Sequence, residues 1–382
     1  MSSQKIAKTR GKKADVLSVV DLFAGVGGLS YGFVHKSEFQ VLAANEILHP
    51  MAEAYRLNHP GVEMFEGDIK DFGLTAMKST FGKTLPEIDL VVGGPPCQAY
   101  STVGKRLLDD PRGALFQEYY RILKELQPKA FIFENVKGLL SMSEGELLAT
   151  IVDLFESLGY HVQFRLLNAA NYGAPQLRER VIIVGTSQGL RFDYPSHTHR
   201  DPEDSVAFSN SRMPTWLTLG EAIGDLPRIE AGQEAFEYAL PAQNDFQRLM
   251  RKDAPGRLMD HNSPKHNAQL IALMKALPEG GSPKDIPEEL RPKSGFPNTY
   301  CRLWWDRPST TVTRNLGTPS SSRCIHPYSA RGLTTREGAR IQCFPDDYRF
   351  YGTRSDKNLQ IGNAVPTFLS KALASEILRT LS

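Results

Sequence analysis

Short apolar runs alternate with helix-patterned stretches through the first half of this 382-residue chain, and no other feature limits its fold so tightly. Residues 16–23, 41–47, 61–69, 88–92, 130–134, 161–167 and 181–185 read as strands. Residues 29–35, 51–57, 115–126 and 145–158 read as helices, the last two with the three-and-four apolar spacing of a helix with one buried face. Repeated β–α units of this size predict the α/β class, a doubly wound, mostly parallel sheet covered on both faces. From about Gly189 to Pro327 the chain turns polar and proline-rich, which predicts a second, smaller domain. Helix patterns return at 335–343 and 366–381. The expected division is a disordered leader (1–14), a large domain (15–190), a smaller domain with a hinge (191–345) and a C-terminal return to the first (346–382).

The run 88–92 leads into Gly93-Gly94-Pro95-Pro96-Cys97-Gln98-Ala99-Tyr100-Ser101. Each proline fixes its own φ and biases the residue before it toward extended geometry, so a cysteine behind two prolines is not helical. The two glycines and two prolines end a strand in a stiff loop that presents a thiol at the carboxyl edge of the sheet. Ligands of open α/β sheets bind at that edge. The competing reading is a buried cysteine packed as a small hydrophobe.

At the first strand–helix junction stands Asp21-Leu22-Phe23-Ala24-Gly25-Val26-Gly27-Gly28. Its spacing is not the Gly-x-Gly-x-x-Gly of dinucleotide sites, and a glycine turn alone is a weak signal. Phe23 is placed to stack on a purine. Glu46 ends the second strand, where it can accept hydrogen bonds from a ribose diol, and Asp68 follows the third, where it can receive an adenine amino group. Each acid alone reads more often as a helix cap or a solvated loop charge; three successive strand ends together favour an adenosine-containing cofactor.

Glu134-Asn135-Val136 closes the strand at 130–134, and an acid behind Phe-Ile-Phe is partly desolvated and able to hold a proton near neutrality. The alternative is a carboxylate paired with an arginine. In Gln176-Leu177-Arg178-Glu179-Arg180, alternation puts Gln176, Arg178 and Arg180 on one side of an extended segment. Two guanidiniums facing one way suit a phosphate or carboxylate, and a surface ion-pair edge is the competing reading.

Net charge is +2, so nucleic-acid affinity must come from local patches rather than from the whole chain. The basic start (Lys5, Lys8, Arg10, Lys12, Lys13) reads as a solvated leader. No apolar stretch reaches the roughly 20 residues a membrane span needs, and no signal-peptide pattern opens the chain. The four cysteines, Cys97, Cys301, Cys324 and Cys343, show neither zinc-type nor secreted-disulfide spacing, so no metal site and a reducing cytoplasm are expected.

The glycine turn, Gly94-Pro95-Pro96-Cys97-Gln98, Glu134-Asn135-Val136, Gln176-x-Arg178-x-Arg180 and Gln360-Ile361-Gly362-Asn363-Ala364-Val365-Pro366 resemble, in order, the signature blocks of the DNA (cytosine-5)-methyltransferase family. Arg336-Glu337-x-Ala339-Arg340 with Phe344-Pro345-Asp346 is similar to a further block. The resemblance runs from Val16 to the C-terminus apart from the polar centre, and is to the bacterial, restriction–modification type.

The resemblance implies methyl transfer from S-adenosylmethionine to C5 of a flipped-out cytosine in duplex DNA. It assigns the attack on C6 to Cys97, protonation or hydrogen bonding at N3 to Glu134, and the base carbonyl and neighbouring phosphate to Arg178 and Arg180. For the cofactor it implies Phe23, Ala24, Gly25, Gly27, Gly28, Glu46, Asp68, Ile69, Pro95, Asn363 and Ala364, with Asn363 also bracing the adjacent backbone. For DNA it implies Gln98, Ser101, Lys105 and Arg106 on a closing loop, and Thr311 and Arg314 in a target-recognition domain at 191–345. That domain's other cationic and aromatic residues include Arg291, Lys293, Tyr300, Arg302, Arg307 and Arg323; the Trp304-Trp305 pair reads as core rather than base-stacking. The large domain, 15–190, is then catalytic and cofactor-binding. A monomer is expected, in the cytoplasm and on the nucleoid through DNA, with a cognate restriction endonuclease acting separately and no membrane partner. An RNA cytosine-5 methyltransferase of the same fold shares every catalytic block. A nicotinamide oxidoreductase lacks its glycine pattern here, and a silent DNA-binding module requires an unreactive Cys97.

Cys97→Ala is expected to abolish methylation and keep DNA binding. Wild-type protein should be trapped covalently by a duplex carrying 5-fluorocytosine and the variant should not; an adduct that persists in the variant moves the nucleophile elsewhere.

Overall fold

The computed structural model describes residues 16–82, 85–96, 114–204 and 212–382. Its centre is a seven-stranded sheet. The strands are β1 (Leu17–Leu22), β2 (Phe39–Glu46), β3 (Glu63–Glu66), β4 (Leu90–Gly93), β5 (Ala130–Val136), β6 (His161–Asn168) and, after the short β7 (Gln176–Leu177), β8 (Glu179–Thr186). Spatial order is β3-β2-β1-β4-β5-β8-β6. Strands β1 to β5 pair in parallel, and β8 runs antiparallel to both its neighbours. The doubly wound, mostly parallel α/β sheet read from the sequence is therefore present. The chain steps outward from β1 to β3, then restarts at β4 on the other side of β1. That reversal opens a crevice at the carboxyl ends of β1 and β4.

Side chains alternate between two apolar layers, as the period of a strand requires. Val20, Leu22, Val91, Phe131 and Phe133 pack with α4 (Ala114–Leu126) and α5 (Glu146–Glu156) on one face. Val19, Val41, Leu90, Val92 and Ile132 meet Phe33 of α1 (Tyr31–Val34) and Leu369, Leu373 and Ile377 of α11 (Thr367–Leu381) on the other. The last helix thus packs back on the sheet beside α1. In that return, the Ser370 hydroxyl accepts from Gly32 N at 2.8 Å and donates to Leu29 O.

Several elements depart from their sequence reading. The stretch 61–69 holds only the strand β3, because Asp68 accepts from Lys70 N at 3.0 Å and caps a 3-10 turn over Ile69–Asp71. Helices α3 (Leu74–Phe81) and α10 (Arg354–Asn363) are not among the sequence-predicted elements. Helix α10 carries little apolar periodicity because its buried face includes polar side chains. Gln360 donates to Pro50 O and Tyr351 O at 3.0 and 2.7 Å instead of packing as a hydrophobe. The Thr353–Asp356 capping box was its sequence signal.

In the polar centre, α6 (Leu219–Ile223), α7 (Asp245–Met250) and α8 (Ala268–Ala276) are short, and β9 (Ser309–Thr310) pairs in parallel with β7. Leu219, Phe246, Leu303, Val312 and Phe344 share one apolar cluster with Val26, Tyr31, Met51 and Ala54 from the start of the chain. Helix α9 (Thr335–Ile341) joins them through buried charge. Arg331 grips Glu337 through two 2.8 Å hydrogen bonds, and Arg340 grips Asp346 through two of 2.6 Å while reaching Asp225 at 2.9 Å. Burial alone would raise the Glu337 carboxyl, but the charge and bonds of Arg331 pull it far below its ordinary value. No helix among the described residues is long and apolar enough to cross a membrane.

Glu337→Gln leaves the buried Arg331 without its counter-charge. A loss of about 3–5 kcal/mol in unfolding free energy is expected, read by urea titration at pH 7; a loss below about 1 kcal/mol would mean that the guanidinium finds another partner.

Candidate active site

The parallel strands deliver the sequence blocks to one edge. After β1 the turn begins at Phe23, whose φ is +54°, a left-handed conformation rare for a bulky residue. Ala24 N donates to Asn45 O at 3.0 Å, tying the turn to the end of β2. Glu46, 7% exposed, accepts from Gly25 N at 2.9 Å and from Leu48 N at 2.8 Å. Burial raises its pKa, opposed by those backbone donors. Ile47 is 62% exposed beside it. Asp68 is exposed and Ile69 buried at the end of β3.

Behind the turn, Asp21 is fully buried and its Oδ2 has no hydrogen-bond partner among the described residues. Burial pushes its carboxyl up to about 7, the charge of Glu46 adds to this, and hydrogen bonding by Ser30 and Tyr55 opposes it.

The second cluster forms between β4, β5 and β8. Pro95 is buried and its carbonyl accepts from Asn135 Nδ2 at 3.2 Å. The Glu134 carboxylate occupies the space beside Gly94: a Cβ built on that glycine would stand 2.7 Å from Glu134 Oε2. Arg180 opposes Val136 across β5 and β8, and its Nε lies 2.9 Å from Glu134 Oε1, with both side chains about 12–13% exposed. The carboxylate–arginine pair is therefore the arrangement present. Cys97, Gln98, Ser101, Lys105 and Arg106 lie outside the described residues.

Arg178 departs from its expected role. It is 1% exposed, donating from Nη1 to Val312 O at 2.8 Å and from Nη2 to Gly362 O at 2.9 Å. Its backbone is held by Ala169 N, which donates to Arg178 O at 2.9 Å, and by its own N–H, which donates to Asn168 Oδ1 at 3.2 Å. Burial lowers its pKa well below the ordinary value, with Arg180 adding to the shift and Glu134 opposing it. Its two Nη groups are committed to backbone carbonyls, so it braces the backbone at Val312 and Gly362, while its buried Nε has no partner among the described residues.

Gln176 works alongside, donating to Ile341 O and Gln342 Oε1 and accepting from Val312 N. Thr311 donates to Leu177 O at 2.6 Å. The backbone of Thr313 and Arg314 crosses Gly362 so closely that a Cβ there would collide with Arg314 N. Arg314 and Asn363 are exposed at this crossing and Ala364 is buried. Gly28 packs on the same C-terminal segment, with Val365 O 2.6 Å from where its Cβ would lie, which makes it a packing position. The bracing roles of Asn135 and Gln176 were not separable from their blocks, because only the fold shows what their amides reach.

Among the central residues, Arg302 is 4% exposed and spends its donors on carbonyls of Leu277, Met274, His326, Pro327 and Ser329, which removes it from any base-reading role. Trp305 packs against the shared apolar cluster, and Arg323 stacks over Trp304 at 4.4 Å. His49, Glu53 and Glu66 come within metal-ligand reach of one another, but Arg56 already lies 2.5 and 2.7 Å from the two carboxylates.

A family model described as C-5 cytosine-specific DNA methylase matches residues 17–379. The chain is 34% identical to the Type II methyltransferase M1.HphI of Haemophilus parahaemolyticus over 366 residues, 95% of this chain and 87% of that protein. It is 36% identical to the Type II methyltransferase M.DdeI of Desulfomicrobium norvegicum over 385 residues, 94% and 88% of the two chains. A solved E. coli prophage-encoded protein described as a DNA modification methyltransferase superposes with a TM-score of 0.75 at 25% identity, covering 96% of this chain and 99% of that one.

Asp21 makes stability fall with pH in a defined window. Its folded-state pKa is raised, so its contribution is fully present below about pH 4 and is lost as pH rises through about 7. Each pH unit in that window is worth about 1.4 kcal/mol at most. Asp21→Asn should flatten this decline in urea melts between pH 4 and 7; parallel profiles for variant and wild type would mean that Asp21 ionises freely in the folded protein.

Proposed function

The chain belongs to the family of C-5 cytosine-specific DNA methylases, and on that basis we propose that it transfers a methyl group from S-adenosylmethionine to C5 of cytosine within a specific duplex DNA sequence. The observation that carries the reading is the Glu134 carboxylate, paired with Arg180 and lying against Gly94, three residues before Cys97.

The residues around the first crevice fit an adenosyl cofactor. Two carboxyl groups stand at successive strand ends, Glu46 at the glycine turn and the exposed Asp68 after β3, with Phe23 and the exposed Ile47 beside them. Glu46 holds ribose hydroxyls, Asp68 an amino group, and Phe23 the purine face, while Ala24, Gly25, Gly27, Ile69, Pro95 and Ala364 shape the walls. Bound there, S-adenosylmethionine supplies an electrophilic methyl group on a sulfonium.

At the second crevice, the Cys97 thiolate adds to C6 of the extruded base and the C5–C6 electron pair moves to make C5 nucleophilic. Glu134 hydrogen-bonds or protonates N3, which makes C6 more electrophilic. Arg180 holds the ring carbonyl, and the arriving base competes with Glu134 for its guanidinium. After methyl transfer, loss of the C5 proton expels the thiolate and restores the ring. Arg178 has no step in this sequence; it fixes the heights of Val312 and Gly362 beside Arg180.

The segment 191–345 serves target recognition, supported by the exposed Arg314 and by Thr311 anchored on Leu177. Residues 15–190 then serve catalysis and cofactor binding, with 346–382 as their C-terminal return. Lys105 and Arg106 grip the backbone from a closing loop shared with Gln98 and Ser101. The protein acts as a monomer on the nucleoid, shielding sites from a separate cognate endonuclease. The RNA alternative loses ground because the family model and the relatives above 30% identity are described as DNA or Type II methyltransferases.

Tritiated S-adenosylmethionine offered with duplex DNA and, separately, with tRNA tests the substrate class. Label in the duplex, with bisulfite sequencing of DNA from expressing cells placing it at cytosines of one short sequence, is expected. Label confined to tRNA would overturn the reading.

A further inference from the structure

The middle of the glycine turn is held from outside its own domain. Tyr348, 3% exposed, donates its hydroxyl hydrogen to Val26 O. His59 Nε2 stands 3.1 Å from the same hydroxyl oxygen. The imidazole is 1% exposed and burial pushes its pKa down to about 3, so it is neutral at working pH. Since the tyrosine hydrogen is spent on Val26, the ring must donate from Nε2, which leaves Nδ1 unprotonated and without a partner among the described residues. The same ring fills the place a Cβ on Gly27 would need, beside a φ of +88°. Val26 lies between Gly25, whose N–H meets Glu46, and Gly27, so the Tyr348 hydroxyl, with His59 beside it, holds the carbonyl of the central peptide of the turn.

Tyr348 is itself rigidly delivered. Its N–H donates to Pro345 O at 3.0 Å, and Asp346, two residues earlier, is clamped by Arg340 and by the Tyr238 hydroxyl at 2.6 Å. We propose that Tyr348 is a positioning residue for the cofactor: its hydroxyl, oriented by His59, clamps the Val26 carbonyl and so holds the glycine turn in the shape that admits S-adenosylmethionine. The inference rests on reading residues 23–28 as the cofactor turn. No substrate atom need touch Tyr348, and the clamp acts on binding rather than on the chemical step.

The test measures S-adenosylmethionine binding by titration calorimetry, with steady-state methylation alongside, on the full chain. For Tyr348→Phe, the dissociation constant and KM for the cofactor should rise about tenfold, the equivalent of about 1.4 kcal/mol, while kcat at saturating cofactor and DNA affinity stay within about twofold, a split that the loss of one hydrogen bond away from the reacting atoms predicts. His59→Leu keeps the tyrosine but removes its orienting donor, and should weaken cofactor binding in the same direction. A lowered melting temperature with unchanged cofactor affinity in both variants would make the contact purely structural and overturn the proposal. If Tyr348→Phe does not fold, His59→Leu decides by the same criterion. Failure of the wild type to bind the cofactor sinks the reading of the turn itself, whereas equal binding by wild type and variants sinks only the clamp.

Discussion

A buried guanidinium joins the parts of this protein that the chain keeps far apart. Arg178 binds the carbonyls of Val312 and Gly362, which lie 134 and 184 residues downstream. A guanidinium is planar and its donors diverge at fixed angles, so the two carbonyls it bridges are held at a set separation. Gln176 extends the joint to Ile341 and Gln342. Strand β8, which presents Arg180 to Glu134, starts one residue after Arg178. The geometry of the second crevice is thereby tied to the seating of the central region and of the C-terminal segment. An uncompensated loss there would leave several backbone carbonyls buried without donors, which is costly in a low-dielectric interior.

The two crevices differ in how they are built. The Glu134–Arg180 pair rests on strand register, since β5 and β8 are adjacent and Val136 faces Arg180. The glycine turn is a loop, and loops hold their shape only through contacts made from elsewhere. Here these come from Glu46 on one side and Tyr348 on the other. The buried acid Asp21 lies behind the turn, which makes the first crevice the more sensitive of the two to its electrostatic surroundings.

Much of this was legible before any coordinates. The strand and helix order of the first half follows from apolar periodicity, because the inner strands, buried on both faces, read as continuous apolar runs. The loop at Gly94-Pro95-Pro96 follows from the dihedral restrictions of proline. Glu46 sits at the glycine turn, as its position at the end of β2 suggested. Other residues misled. Arg178 and Arg180 alternate in sequence but take different partners, Arg178 two backbone carbonyls and Arg180 the Glu134 carboxylate. Arg302 has the look of a DNA-reading residue and is instead a buried brace for five carbonyls. Helix α10 hid because its buried face uses amides, which a hydrophobic pattern does not register.

What the amino-acid order determined alone is local: the parallel β–α arrangement, the stiff loop ahead of Cys97, and the residue types that suit methyl transfer to a pyrimidine. These depend on interactions within a few residues, on backbone dihedrals and on side-chain alternation, all of which are written in short windows. What only the tertiary structure decided is which like residues face the crevice and which hold it up. Arg178, Gln176, Tyr348 and His59 take their meaning from partners far along the chain. Burial and hydrogen bonding across such distances depend on how the layers pack together, and no short window of sequence contains that information.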